Sequence, residues 1–333
     1  LLNRVTFAFA AVIAAVGLSA CVSGGAPARG SGAAASVPAA SPAASATPPQ
    51  QRQAGGTEAG GAEDAALAAR LKEICARAGG ECGVAVAHVE TGRVASFEGE
   101  KSMPLYSVFK LPLAVAVLKD VEGGKLRLDQ KVRVEPAEVS PGTKANTDLW
   151  LKPSERTLRE LLEFSIVRSD NTSSDKMLEL VGGPAVVTER MRALGLRDVE
   201  VRANVREVLK LPDHPNRGTA SGLARLLALL QKGEVLQPAQ LEVLFGLMGR
   251  AATGERRLRA GTPRGTPVAD KTGTGPATTN DVGVITLPEG RGHLAVAALL
   301  NGSRLSAEKQ EDVIAELARA AYDAHAARPA AGR

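Results

Sequence analysis

Gly83-Val84-Ala85-Val86-Ala87-His88-Val89 is an apolar run with β-branched residues that reads as a strand. Glu90-Thr91-Gly92 supplies a turn, and 93–97 reads as a second strand. Strand character then disappears until 267–271, 281–287 and 293–300, close to the other end of the chain. Between these groups the spacing of apolar residues predicts helices over 107–121, 158–167, 172–181, 184–194, 219–231 and 238–249. Two more helical patterns flank the strands. One covers 65–78; the other, over 307–326, lines up Val313, Ile314, Leu317 and Ala321 on one face. Strands at both ends with helices between them predict an α+β fold. An antiparallel sheet built from both termini and packed with helices lies beside an all-helical region, with a cleft between them.

The front of the chain is different in kind. Arg4 precedes a short apolar run, 5–16, and Leu18-Ser19-Ala20-Cys21 follows. A charged start, a short apolar stretch and small residues before a cut site make a secretory signal. Small residues directly before a cysteine resemble a bacterial lipobox, in which Cys21 is lipidated and becomes the mature N-terminus. The run is too short for a spanning helix of about twenty residues. Residues 22–63 are mostly Ala, Gly, Ser, Pro, Gln and Thr, with too little apolar surface to offset the entropy of ordering, which predicts a flexible tether. The expected organisation is a lipoprotein signal over 1–21, a tether over 22–63, a catalytic domain over 64–326 and a disordered tail over 327–333. The folded part is then expected outside the cytoplasm, anchored to a bacterial envelope membrane on the periplasmic side or the cell surface.

Cysteine use agrees with export. With Cys21 set aside, Cys75 and Cys82 remain as an even pair flanking Arg77-Ala78-Gly79-Gly80, a turn between a helix and a strand; whether they join is left open by spacing alone. Neither has metal-ligand spacing and the four histidines are scattered, so no metal or other cofactor is expected. The net charge of +5 comes from dispersed Lys and Arg, and with aromatics at 3% no basic block is interleaved with them. That excludes nucleic acid as a partner, and a monomer is expected.

Three short stretches carry chemistry. Ser107-Val108-Phe109-Lys110 opens the buried helix 107–121, and a spacing of three puts both polar side chains on one face. A serine hydroxyl is a weak nucleophile until a neighbouring base takes its proton, and a lysine desolvated by the apolar run 111–118 suits that task. Ser169-Asp170-Asn171 falls between two helices, where it offers a hydroxyl for proton relay and an amide for a substrate carbonyl, or simply a helix cap. Lys271-Thr272-Gly273-Thr274-Gly275 follows a strand. Its lysine and threonines suit a carboxylate, and its glycines admit a substrate backbone.

The order Ser-x-x-Lys, Ser-Asp-Asn, Lys-Thr-Gly, with separations of 62 and 102 residues, resembles the class A serine β-lactamases over about 64–326. Three further stretches support the resemblance. They are Val181-Gly182-Gly183-Pro184 with Ala193-Leu194-Gly195, then Thr253-Gly254-Glu255-Arg256-Arg257-Leu258-Arg259-Ala260-Gly261, and Thr278-Thr279-Asn280-Asp281-Val282-Gly283-Val284-Ile285. The resemblance implies Ser107 as the acylated nucleophile, Lys110 as its proton acceptor and Ser169 as the relay to the lactam nitrogen. It implies Asn171 as a partner for the substrate's acylamide group. Lys271, Thr272, Gly273 and Thr274 would form the carboxylate site, with Arg257 as second cation. The backbone amides of Ser107 and Thr274 would form the oxyanion hole.

One region departs from the family. Its members release the ester with a glutamate on a surface loop, followed four positions later by asparagine. Counting from Gly195 and Arg217 puts Val205 and Leu209 at those positions, with Ala203 and Gly218 where a bracing arginine and aspartate belong. Glu207 is the nearest carboxylate, as a base or as a solvated surface charge. Asp213 and His214 are further candidates. Trp150 is the only aromatic between the first two motifs before Phe164. The reading is a serine hydrolase that opens a β-lactam amide through an ester on Ser107. A penicillin-binding or D-Ala-D-Ala peptidase-like protein that deacylates slowly is the alternative. A non-catalytic envelope lipoprotein or β-lactam sensor is the third reading, and the presence of both Ser107 and Lys110 argues against it.

Overall fold

The computed structural model describes residues 57–141, 149–208, 210–211 and 213–326, with 57–63 as backbone. Cys21, the segment 22–56, Leu209 and the tail 327–333 lie outside the described residues. In chain order the elements are α1 (Thr57–Cys75), β1 (Glu81–His88), β2 (Val94–Phe97), β3 (Met103–Pro104), α2 (Lys110–Glu122), β4 (Lys131–Val134), β5 (Ser154–Thr157), α3 (Leu158–Val167), α4 (Asn171–Val181) and α5 (Pro184–Ala193). After them come α6 (Val205–Val208), β6 (Arg217–Gly218), α7 (Ala220–Gln231), α8 (Pro238–Gly249), β7 (Val268–Gly275), β8 (Thr278–Thr286), β9 (His293–Asn301) and α9 (Ala307–Ala326). Helix α1 starts at Thr57, so the last residues assigned to the tether are helical.

The main sheet is antiparallel in the order β2-β1-β9-β8-β7, built from both ends of the chain as the sequence predicts. Alternation sorts its two faces. Val84, Val86, Leu294, Val296, Ala298 and Leu300 pack with α1 and α9, whereas Ala85, Ala87, Ala295, Ala297 and Leu299 join the larger core of the helical region. Helix α2 runs through that larger core and is buried from Lys110 to Leu118. Each buried leucine there contributes about 1.5–3 kcal/mol, which ties the active-site helix to the most stable part of the fold.

Local signals set the ends of the helices that frame the cleft. Thr157 and Glu160 form a capping box on α3, and Gly182, at φ 99°, closes α4 in the left-handed region. Thr219 caps α7 through the Gly222 amide. Cys75 at the end of α1 is joined to Cys82 in β1 with a Cα–Cα distance of 5.4 Å, which closes the helix-to-strand turn. Among the described residues no helix is long and apolar enough to cross a membrane.

Candidate active site

Tyr106–Phe109 forms a tight 3-10 turn, and α2 takes over only at Lys110. The sequence predicted an α-helix opening at Ser107. The turn differs because Tyr106 enters it at φ 46°, a left-handed conformation that residues with a Cβ rarely hold. Ser107 is half-buried, while Val108, Phe109 and Lys110 are buried.

Strand β7 lies along this turn at the edge of the sheet. A Cβ on Gly273 would collide with the Leu105 carbonyl oxygen and sit 3.2 Å from the Val108 nitrogen, so glycine is what lets strand and turn meet. Asn280 on β8 fixes the same junction, donating its side-chain amide to the carbonyls of Pro104 at 2.8 Å and Leu105 at 3.3 Å. Gly275 is covered by the ring of Tyr106, whose other neighbour is the imidazole of His214, with centroids 4.3 Å apart.

The second motif sits between α3 and α4. Asp170 is the N-cap of α4: its carboxylate accepts from the Ser173 amide and hydroxyl, both at 2.7 Å, and from the Trp150 indole at 3.2 Å. The cap that this tripeptide allows is present, and Asp170 supplies it. Trp150, the only aromatic between the first two motifs before Phe164, is buried with its N–H on that cap. Ser169 stands at φ 53°, and it and Asn171 turn toward Lys110.

The two lysines meet at one hydroxyl. Lys110 Nζ donates to the Ser169 carbonyl at 2.6 Å and to Asn171 Oδ1 at 2.8 Å, and lies 3.3 Å from Ser169 Oγ. Lys271 Nζ donates to Ser169 Oγ at 3.1 Å and to its neighbour's carbonyl, Thr272 O, at 2.9 Å. Burial pushes Lys110 well below the ordinary lysine range, helped by the Lys271 charge and opposed by Asp170 and Asp175. Burial also lowers Lys271, to about 8, with the Asp270 charge first among those opposing it. A neutral Lys110 has two N–H donors and one lone pair. Its two short partners, a carbonyl and an amide oxygen, only accept, so the lone pair is left for a hydroxyl proton.

Beside this pair, Thr272 shares a hydrogen bond with Thr253 at 2.7 Å. Buried Arg257 donates to Thr274 Oγ1 at 2.8 Å and to the Asn280 carbonyl at 2.9 Å, and pairs with Glu311 at 3.1 Å. Lys110, Ser169, Asn171, Lys271, Thr272, Gly273, Thr274 and Arg257 therefore lie on elements joined by these contacts, beside the turn that carries Ser107.

Glu207 is placed differently. It is exposed on α6, and its carboxylate accepts from the Asn204 amide at 2.9 Å while Asn204 Oδ1 accepts from the Glu207 amide at 2.9 Å. This reciprocal cap turns the carboxylate back onto its own loop. The signal was in the sequence: Asn204 and Glu207 have cap spacing. The loop is held instead by Asp175, which the sequence reading missed. Asp175 is buried, accepts from the Val205 amide at 2.8 Å and the Ser140 hydroxyl at 2.7 Å, and is raised above the usual carboxylate range by burial. Its place, four residues after Asn171 on the same face of α4, is the signal that could have found it. Among the described residues, no group of three or more His, Cys, Asp or Glu is placed to hold a metal ion.

The model of the β-lactamase enzyme family matches residues 66–325. The chain belongs to the class A serine β-lactamase family. Extended-spectrum β-lactamase PER-1 of Pseudomonas aeruginosa is 35% identical over 232 residues, covering 67% of this chain and 75% of that one. β-Lactamase VEB-1 of the same organism is 27% identical over 274 residues, 77% of this chain and 89% of that one. Among solved structures, a β-lactamase from Chitinophaga pinensis superimposes with a TM-score of 0.75 at 32% identity, covering 78% of this chain and 99% of that one. The reconstructed class A enzyme of the last common ancestor of Gram-negative bacteria gives 0.72 at 36%, with coverage of 78% and 99%.

Proposed function

We infer that this class A family member is a serine β-lactamase, hydrolysing the β-lactam amide through an ester on Ser107. The observation that carries the reading is the convergence on the Ser169 hydroxyl of Lys271 and of Lys110, which lies three residues after Ser107. Neutral Lys110 takes the Ser107 proton as the oxygen attacks the lactam carbonyl. The resulting ammonium returns that proton through Ser169 to the lactam nitrogen as the C–N bond breaks. The substrate carboxylate sits on Lys271, Thr272 and Thr274 with Arg257 behind them, and Asn171 meets the acylamide group. The amides of Ser107 and Thr274 receive the oxyanion.

Hydrolysis of the ester is assigned to the same amine. Asp170 and Asp175, the carboxylates whose charge reaches Lys110, each have both oxygens engaged by donors, and Glu207 caps its own loop. Lys110, neutral again once the lactam nitrogen is protonated, is the base already in contact with Ser169. Loss of lactam absorbance tests the reading: wild type consumes a penicillin catalytically, and Ser107→Ala does not.

The same reading places the enzyme outside the cytoplasm as a monomer, lipid-anchored at Cys21 through the segment 22–56. Support comes from Leu18-Ser19-Ala20-Cys21 and from the Cys75–Cys82 disulfide, which needs an oxidising compartment.

A further inference from the structure

Behind Lys271 lie two carboxyl groups that the proposed reaction leaves unused. Asp270 is on β7 and Asp281 on β8. The register pairs Asp281 with Thr272 and Asp270 with Gly283, so the two acids are diagonal neighbours on one face. Both are fully buried. A Cβ built on Gly254 would lie 3.1 Å from Asp270 Oδ2 and 3.5 Å from Asp281 Oδ2, so the two groups border one point. Arg259 donates to Asp270 Oδ1 at 2.7 Å, and the Leu258 amide donates to Asp281 Oδ2 at 3.2 Å. Asp270 Oδ2 and Asp281 Oδ1 are buried with no hydrogen-bond partner among the described residues.

Two buried carboxylates side by side repel, and each here also keeps an oxygen without a donor. One proton relieves the repulsion, because it leaves a single charge on the pair. The surrounding charges decide where it rests. The charges of Lys271 and Arg257 act on both acids, but only Asp270 has a guanidinium, that of Arg259, donating to it, while Asp281 accepts from a backbone amide.

We propose that Asp270 and Asp281 share a single proton carried by Asp281, and that ionised Asp270 is the counter-ion that keeps Lys271 charged for the substrate carboxylate. Both are positioning residues, acting through Lys271. Burial supports the same order: it lifts Asp270 to about 6 and, with the Asp270 charge beside it, lifts Asp281 well above the carboxylate range. The role given to Lys271 rests on the proposed reaction; the shared proton does not.

Isotope-edited infrared spectroscopy of the folded chain carrying 13C-aspartate reads the proton directly. At pH 7 the wild type shows a protonated-carboxyl stretch, and Asp281→Asn loses it. No such band in the wild type, or a band that survives Asp281→Asn, overturns the shared proton whether or not the chain turns over a penicillin. The pH profile of KM then reads the counter-ion. Asp270→Asn moves the alkaline rise in KM down by about one pH unit, while Asp281→Asn leaves its midpoint in place. Equal downward shifts in both variants overturn the placement of the charge on Asp270. Should Asp270→Asn fail to fold, the Asp281→Asn midpoint alone decides, since an ionised Asp281 would make it fall.

Discussion

Lys271 Nζ donates to the Ser169 hydroxyl at 3.1 Å, joining residues 102 positions apart in the chain. The contact brings the edge strand β7 against the loop between α3 and α4. It also fixes the direction of the serine hydroxyl. With Lys271 donating to its oxygen, its single proton is free to point at Lys110 or at a leaving nitrogen.

The charge on Lys271 sets an alkaline limit on substrate binding. The ammonium is present below about 8 and lost above it. KM for a carboxylate-bearing β-lactam is therefore expected to rise as pH passes about 8, with kcat less affected, in steady-state kinetics across pH. The stability effect has the opposite sense. Between about 8 and 10.5 the unfolded chain binds more protons at this lysine than the folded one, so its contribution to stability rises with pH across that window.

Lys110 has to be neutral to act. Lys110→Arg places a permanent cation there, and acylation is expected to fall by about 10²–10⁴-fold, read as the rate of adduct formation by mass spectrometry. Trace adduct that still forms is expected to clear slowly, because the same amine serves the second step.

Glu207→Gln tests the loop. Its carboxylate caps Asn204, so turnover is expected to stay within about twofold of wild type and the melting temperature to drop slightly. A burst of acylation followed by a stalled ester in this variant would assign the base to Glu207 instead.

Gly273→Ala pushes a methyl into the Leu105 carbonyl and the Val108 nitrogen. The nucleophile turn must shift, and a displacement of about 1 Å there is expected to lower kcat/KM by about 10²-fold while the protein stays folded by circular dichroism.

Removing the Cys75–Cys82 bond, which closes a loop with a sequence separation of 7, is expected to cost about 2.5 kcal/mol on the chain-entropy account. Denaturant melts of the Cys75→Ala/Cys82→Ala chain would show it, with activity retained because the bond lies at the α1 end of the sheet and away from Ser169.

Much of this was legible beforehand, for identifiable reasons. Long periodic segments such as Leu158–Val167 and Ala307–Ala326 are found at the ends their caps and apolar spacing indicate. The sheet followed from strands at both termini. The pair β4 and β5 escaped because four-residue strands with exposed alternate positions look like loop. The turn at Ser107 escaped because nothing in the identity of Tyr106 signals a left-handed backbone. The three motifs were visible one by one, but Asp175, Asp270 and Asp281 act through burial and tertiary neighbours, which spacing does not record.

The most direct measurement is time-resolved intact mass of the full chain mixed with a penicillin, beside Ser107→Ala. A penicilloyl adduct that forms on the wild type alone, then clears as hydrolysed product accumulates, is the expected result. An adduct that stays, an adduct that also forms on Ser107→Ala, or none at all would contradict a β-lactamase working through Ser107.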